Sequence, residues 1–311
     1  MATKNFLQIV QQAQAELGLP VASAVCTNLA DITVSQFYYL SLRDADELYN
    51  MASGVQGWPQ LRKEYVFNLV GVSNVTATFT SGSNVVTGVS PTTGIVDGMV
   101  ITAQSLFGGE NVTVLSGGGT STLTISQNAV ESQTETTVSF GQQAYDYPSD
   151  LAYFITQTQW DRNFRWQLLG PLSPQEWQVI KSGISPVGPR IRFRLMDGQI
   201  YFDPVSGNND QIVFEYYSNG WCTSASGTPQ NKWLADTDLP VLNPELHILG
   251  LKWRFLRSKG LDYTEEKNTW ERTLFREMSR AGLSRSLPIN AQSGNLRLLS
   301  MQNLPDTGFG S

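Results

Sequence analysis

The chain is 311 residues long, enough for about two domains of ordinary size with at least one real core. Only 15% of its residues are charged, against about 25% in a typical soluble protein, and 41% are hydrophobic. Much of its surface is therefore neutral and polar, or covered by neighbouring subunits. A net charge of −6 disfavours a general nucleic-acid binder, whose affinity rests on Lys and Arg neutralising phosphates. Cys26 and Cys222 are the two cysteines. So few, so far apart, read as free thiols in a reducing compartment rather than as a disulfide framework. The first residues lack a basic stretch followed by an apolar one, so no signal peptide is expected. No apolar run reaches the ~20 residues of a membrane span. The expected place of synthesis and residence is the cytoplasm, unless something larger carries the protein out.

In chain order, the first predicted element is a helix capped by Thr3, with Phe6, Val10, Ala13 and Leu17 on one face and Gly18 and Pro20 as the stop. A second helix starts at Thr33, where Thr33-x-x-Gln36 fits a capping box, and runs to about Ala52 with Phe37, Leu40, Leu48 and Met51 on one side; Gly54 ends it. Trp58-Pro59 makes a turn, and residues 64–70 read as a strand presenting Tyr65, Phe67 and Leu69 together.

From residue 71 to 141 the composition changes abruptly. This stretch has no Lys or Arg, and its charges are Asp97, Glu110, Glu131 and Glu135. Short alternating runs of Thr, Ser and Val are separated by turn signals such as Ser81-Gly82-Ser83-Asn84, Asp97-Gly98, Gly108-Gly109 and Gly117-Gly118-Gly119. Several short strands at this spacing predict a small antiparallel β-sandwich or barrel; the competing reading is a Ser/Thr/Gly linker. Regular placement of branched residues favours folded β structure.

Beyond it, residues 151–159 and 164–169 read as strands broken by Asp161-Arg162-Asn163. Ser173 caps a short helix with Pro174 at its first position. Residues 190–196 and 199–202 form a hairpin around Asp197-Gly198, and residues 211–217 supply another strand. Asn243-Pro244 opens a helix with Leu246, Leu249, Trp253 and Leu256 on its apolar face, ending at Gly260. Asp262-x-x-Glu265 caps the last helix, where Trp270, Leu274 and Met278 share a face before Gly282. Residues 283–311 have no strong period and read as an extended arm. The fold class expected is α+β: a helical core of two N-terminal and two C-terminal helices, a small antiparallel β region, an inserted all-β sandwich-like domain and the arm. The corresponding units are residues 1–70, 71–141, 142–282 and 283–311.

No catalytic, metal or cofactor residues are expected. The single histidine, His247, lies in the first turn of a capped helix, where a packed or surface role is the ordinary one. One His and two distant Cys do not make a zinc site. The carboxylate clusters Glu265-Glu266 and Asp236-x-Asp238 are the obvious ones for a glycosidase-like reaction. Glu265 reads better as a helix cap, Glu266 as a partner of a nearby base such as Arg272, and the two aspartates as loop residues before Pro240. The glycine clusters match no phosphate loop.

The block from Tyr145 to Gly282 is rich in large aromatics and Arg, the residue types that anchor protein–protein contacts because they bury much area and hydrogen-bond at their edges. Arg190, Arg192 and Arg194 alternate and so share one strand face; they form either a solvated sheet face or a rim that pairs with acidic groups of a neighbour. Together with Trp160 and Arg162 they are the inter-subunit candidates. Lys252, Arg254, Arg257 and Lys259 cluster toward the end of their helix, where cations complement its dipole.

Three stretches carry a family resemblance. They are Gly170-Pro171-Leu172-Ser173-Pro174-Gln175-Glu176-Trp177; Phe202-Asp203-Pro204 followed by Phe214-Glu215-Tyr216; and Leu249-Gly250-Leu251-Lys252-Trp253-Arg254-Phe255-Leu256-Arg257 with Lys259-Gly260-Leu261-Asp262-Tyr263. Together they resemble head-to-tail adaptor (connector) proteins of tailed bacteriophages, especially short-tailed ones. Residues 71–141 resemble an Ig-like or β-sandwich module inserted in various phage structural proteins. The resemblance implies a structural virion protein assembled in the host cytoplasm: a ring, usually dodecameric, under the portal. Such a ring seals the packaged genome, extends the channel through which DNA passes without sequence-specific contacts, and offers a platform to a nozzle or tail-tube protein. Its implied partners are the portal protein, copies of itself and that tail component, with no membrane. The arm then becomes the portal contact, with anchors Leu287, Ile289, Leu296, Arg297, Leu298, Leu299, Met301, Leu304 and Phe309. The acidic balance suits a channel that DNA must traverse without sticking. The alternatives are a virion-associated cell-wall hydrolase and a module that binds a host glycan.

Overall fold

In a computed structural model, the described residues are 4–51, 58–102, 106–107, 112–181, 190–206 and 209–281. The chain is a mixed α+β protein. Helices α1 (Phe6–Glu16) and α2 (Ile32–Met51) come first, followed by strand β1 (Arg62–Asn68). Six strands follow: β2 (Gly71–Phe79), β3 (Val85–Ser90), β4 (Val100–Ile101), β5 (Val112–Ser116), β6 (Leu123–Ile125) and β7 (Gln133–Gly141). Then come β8 (Ala144–Asp146), β9 (Leu151–Phe154), β10 (Trp160–Asp161), β11 (Trp166–Gln167), helix α3 (Pro174–Lys181), β12 (Arg192–Met196), β13 (Gln199–Asp203) and β14 (Gln211–Ser218). The short strands β15 (Cys222–Thr223), β16 (Pro229–Gln230) and β17 (Leu239–Pro240) precede helices α4 (Pro244–Ser258) and α5 (Thr264–Arg280).

The stretch without Lys or Arg closes into a barrel of order β2-β3-β6-β5-β4-β7, rather than two facing sheets. Closure follows from β2 and β7, which pair along their length from Gly71↔Gly141 to Phe79↔Gln133, while β4 bonds to the far edge of β7 and leaves no open edge. Its interior is filled by Val75, Ala77, Phe79, Val86, Val112, Val114, Leu123, Ile125, Val138 and Phe140, the inward members of the alternating runs. Gly117 has φ +91°, and a Cβ there would meet Thr122 O at 2.4 Å, so the triple glycine is a turn that only glycine fits. Gly108-Gly109 lies outside the described residues. The barrel is rooted tightly: the Gln142 N–H donates to Val70 O at 2.8 Å, and a Cβ on Gly141 would fall 2.6 Å from Ser206 O.

The central sheet is antiparallel, with β14 between β1 on one side and β10 and β9 on the other, and β11 beyond β10. One face of it, carrying Tyr65, Phe67, Ile212, Phe214 and Tyr216, packs on Tyr145, Phe193, Ile200 and Phe202 of the β12-β13-β8 sheet. The predicted hairpin forms as read, with Asp197 and Gly198 both at positive φ. Its first strand starts at Arg192, so Arg190 precedes it.

Local capping departs from the sequence reading in three places. Thr3 lies outside the described residues, and Asn5 caps α1 in a reciprocal box with Gln8. Helix α2 starts at Ile32, one residue early, because the Asp31 carboxylate accepts from Thr33 N and Val34 N; Gln36 instead donates to Ser258 Oγ at 2.7 Å. At α5, Asp262 accepts from Thr264 N at 3.0 Å, and Glu265 is an exposed first-turn residue. Ser173 caps α3 as expected, and the structure adds a reciprocal bond from its N–H to the Glu176 carboxylate; the Asn243-Pro244 start is also as expected.

Candidate assembly surface

The helices are joined by ionic groups drawn largely from the Leu249–Tyr263 stretch. Arg254, read from sequence as a cation that complements the helix dipole, is buried: its guanidinium donates to Asp44 Oδ1 at 2.6 Å and reaches Glu47. Asp44 also takes His247 Nδ1 at 2.9 Å, and His247 is only 3% exposed. The histidine is thus a packed residue bound to α2. Lys252 bridges Glu16 of α1 and Glu266 of α5 at 3.0 and 3.2 Å, so Glu266 pairs between helices rather than along its own. Trp253 lies beside Trp270 and Tyr263. The strongest stretch of the resemblance is therefore a set of helix-joining residues.

Of the carboxylates considered for hydrolysis, the two aspartates are held by backbone. Asp236 accepts from Val25 N and Cys26 N, and Asp238 from Leu234 N and Ala235 N. Among the described residues no group of three or more His, Cys, Asp or Glu could hold a metal ion, and no helix is long and apolar enough to cross a membrane. Cys26 and Cys222 are both free. Burial, with the Asp236 carboxylate beside Cys26 and Asp238 acting on Cys222, pushes both thiols up to about 12. Iodoacetamide at pH 8 should therefore label the native chain roughly a thousandfold more slowly than the denatured one. Mass spectrometry of timed aliquots checks this, and equal rates would contradict the burial.

The candidate surface is the second face of the central sheet. Toward one end, the Tyr217 and Tyr153 rings lie tilted at 4.7 Å and join the helices through Trp58, Leu246 and Trp270. Toward the other end it is only partly covered, with Val213 buried between more exposed neighbours. There Val66, Val213 and Trp160 lie side by side across β1, β14 and β10, with Val66 47% and Trp160 39% exposed. Glu64 and Glu215 face each other directly across the β1–β14 pair, and Arg162 donates to Glu64 at 2.7 Å. Like charges so placed repel, which Arg162 offsets on one of the two.

The turn from β10 to β11 builds the wall of this groove. The buried Asp161 closes β10 rather than breaking it, and its carboxylate accepts from Asn163 N and Phe164 N at 2.9 and 3.1 Å. That turn projects Arg162 and Arg165 and holds the Phe164 and Trp166 rings stacked at 5.6 Å on the surface. The groove encloses about 780 Å³.

Of the sequence-predicted contact residues, Trp160 and Arg162 meet in this groove. Arg190, Arg192 and Arg194 belong elsewhere, at the β12 edge, where Arg192 lies opposite Asp203 and is half-buried. The neighbouring Lys181 is paired to Asp203 at 2.7 Å. The nine arm anchors from Leu287 to Phe309 lie outside the described residues. Sequence reasoning missed Glu64, Phe164, Trp166 and Glu215. Their signal was an Asp-Arg-Asn turn between aromatics, but the register that gathers them is set across strands distant in sequence.

Exposed Trp, Phe and Arg thus surround a partly covered sheet face, while other ionic residues join the helices. A family model described as SU10 adaptor protein matches residues 120–297, more than half of the chain. The chain belongs to this family and is a phage adaptor-type structural protein. No curated protein matches it.

Proposed function

We propose that this protein is a head-to-tail adaptor whose copies form a ring, dodecameric by the resemblance, below the portal of a short-tailed phage. The observation that carries the reading is the open half of the central sheet, an aromatic and Arg-rich face of the kind that anchors protein contacts, in a chain of the adaptor family. In this reading the ring seals the packaged DNA, continues its channel, and presents a platform to a nozzle or tail-tube component. The virion is its final location and the host cytoplasm its place of assembly. Residues 1–70 and 142–282 act as the body, the barrel within residues 71–141 is a self-contained insert directed away from the ring, and residues 283–311 reach the portal through Leu287, Ile289, Leu296, Arg297, Leu298, Leu299, Met301, Leu304 and Phe309. Arg190, Arg192 and Arg194 serve as a second contact between subunits.

The test is removal of residues 283–311. The truncated chain is expected to keep its melting temperature and to lose co-sedimentation with purified portal rings. Undiminished co-sedimentation would refute the portal role of the arm.

A further inference from the structure

The groove and the last helix are complementary. Helix α5 buries Trp270 and Leu274 and turns Arg272, Phe275 and Arg276 outward, with Phe275 66% exposed. Among the described residues Arg272 has no ionic partner, and Arg276 lies 4.0 Å from Glu277. The other acids nearby are engaged, Glu271 by Lys267 and Glu277 by Arg280. The exposed ridge thus carries one aromatic ring and two guanidinium groups. The groove offers apolar side chains beside a carboxylate, with Arg165 also in its lining. Its apolar floor is Val213 and Trp160, and Arg162 is committed to Glu64, which leaves Glu215 as a carboxylate with no side-chain partner among the described residues. A volume of about 780 Å³ accommodates several side chains rather than one.

We propose that the open half of the sheet receives the α5 ridge of a second copy, with Phe275 against Trp160 and Val213 and Arg272 or Arg276 on Glu215. The two patches are different surfaces of one chain, so the contact is head-to-tail and repeats around a closed ring. The proposal rests on the ring reading and deepens it by naming both sides of the joint. Apolar burial of the Phe ring supplies the affinity, and the charge pair fixes the register.

The experiment uses the full chain and three variants: Glu215→Arg, the pair Arg272→Glu with Arg276→Glu, and all three together. Assembly is followed by sedimentation velocity over a concentration series, with circular-dichroism melts to verify folding of these surface variants. Each separate reversal is expected to raise the concentration for half-assembly at least about tenfold, because it sets like charges against each other. The combined variant is expected to recover to within about threefold of the wild type. If the reversals leave assembly unchanged, or the combination is no better than its parts while wild-type rings form, the α5 joint is overturned and the ring stands. Should Glu215→Arg spare self-assembly but abolish portal co-sedimentation, the groove belongs to the portal and the proposal falls. A wild-type chain that stays monomeric at every concentration, alone and with portal, overturns both the ring and this joint.

Discussion

Asp44→Ala is expected to lower stability by about 3–5 kcal/mol, because it strands two buried partners at once. Asp44 is fully buried between α2 and α4, where it accepts from Arg254 Nη1 and His247 Nδ1. Without it the Arg254 guanidinium keeps Glu47, a half-exposed carboxylate, as its one acidic partner, beside the Gly250 carbonyl and the Trp253 and Trp270 rings. A buried charge with an inadequate partner costs far more than a surface pair contributes. The transition midpoint should fall by roughly 10 °C in a chain of this size. Glu47→Ala removes the exposed end of the same network and should cost about 1 kcal/mol or less. Pairing Asp44→Ala with Arg254→Leu removes the stranded charge and should regain part of the loss. Thermal melts of the four proteins decide it. A small effect for Asp44→Ala, similar to that of Glu47→Ala, would mean that the charges are not held as described.

Gly250→Ala is expected to cost about 3 kcal/mol, against the ordinary direction for this exchange. In a helix interior alanine is favoured over glycine by about 1 kcal/mol. Here, however, a Cβ would fall 1.9 Å from Asp44 Oδ1 and 2.5 Å from its Cγ. The carboxylate has no room to yield, since Arg254 and His247 hold it from two sides. The glycine therefore exists to let α2 bring its acid against α4. The effects should be strongly non-additive: in an Asp44→Ala background, Gly250→Ala should become neutral or stabilising. Denaturant unfolding of the two single variants and the double variant tests this. A Gly250→Ala chain as stable as the wild type would remove the steric argument.

Other parts of the interior also show electrostatics settled by packing. Burial alone would raise the Asp150 carboxyl, yet hydrogen bonds from Lys63, Ser218 and Tyr216, with the Lys63 charge, hold it below the usual carboxylate range. Its contribution is present above the ordinary carboxylate pKa and is lost as pH falls through the lowered one. The same carboxylate anchors the β9 end of the central sheet to β1 and β14, opposite the end that stays open.

Local signals in the chain were sufficient for the periodic elements. Phe6, Val10 and Ala13 fall on the buried face of α1, Tyr65 and Phe67 point to one side of β1, and Asp197-Gly198 turns the β12–β13 hairpin. These features depend on spacing within about ten residues, which a reader of sequence sees directly. The amphipathic runs of residues 71–141 likewise specified β structure, because alternation separates an inside from an outside. Closure into a barrel was decided by which edges met, here β4 on β7.

The fate of charged residues was not legible in the same way. Arg254 and His247 carry no local sign of burial; only the approach of α2, more than 200 residues away in sequence, gives them Asp44 and takes them out of water. Trp160 and Arg162 were legible as contact types, while their neighbours Glu64 and Glu215 were not. By itself the sequence determined what each short segment prefers and which residue types are available to hold a partner. Tertiary structure alone decided which of these became interior joints and which remained an open surface, because burial and charge pairing depend on elements far apart in the chain.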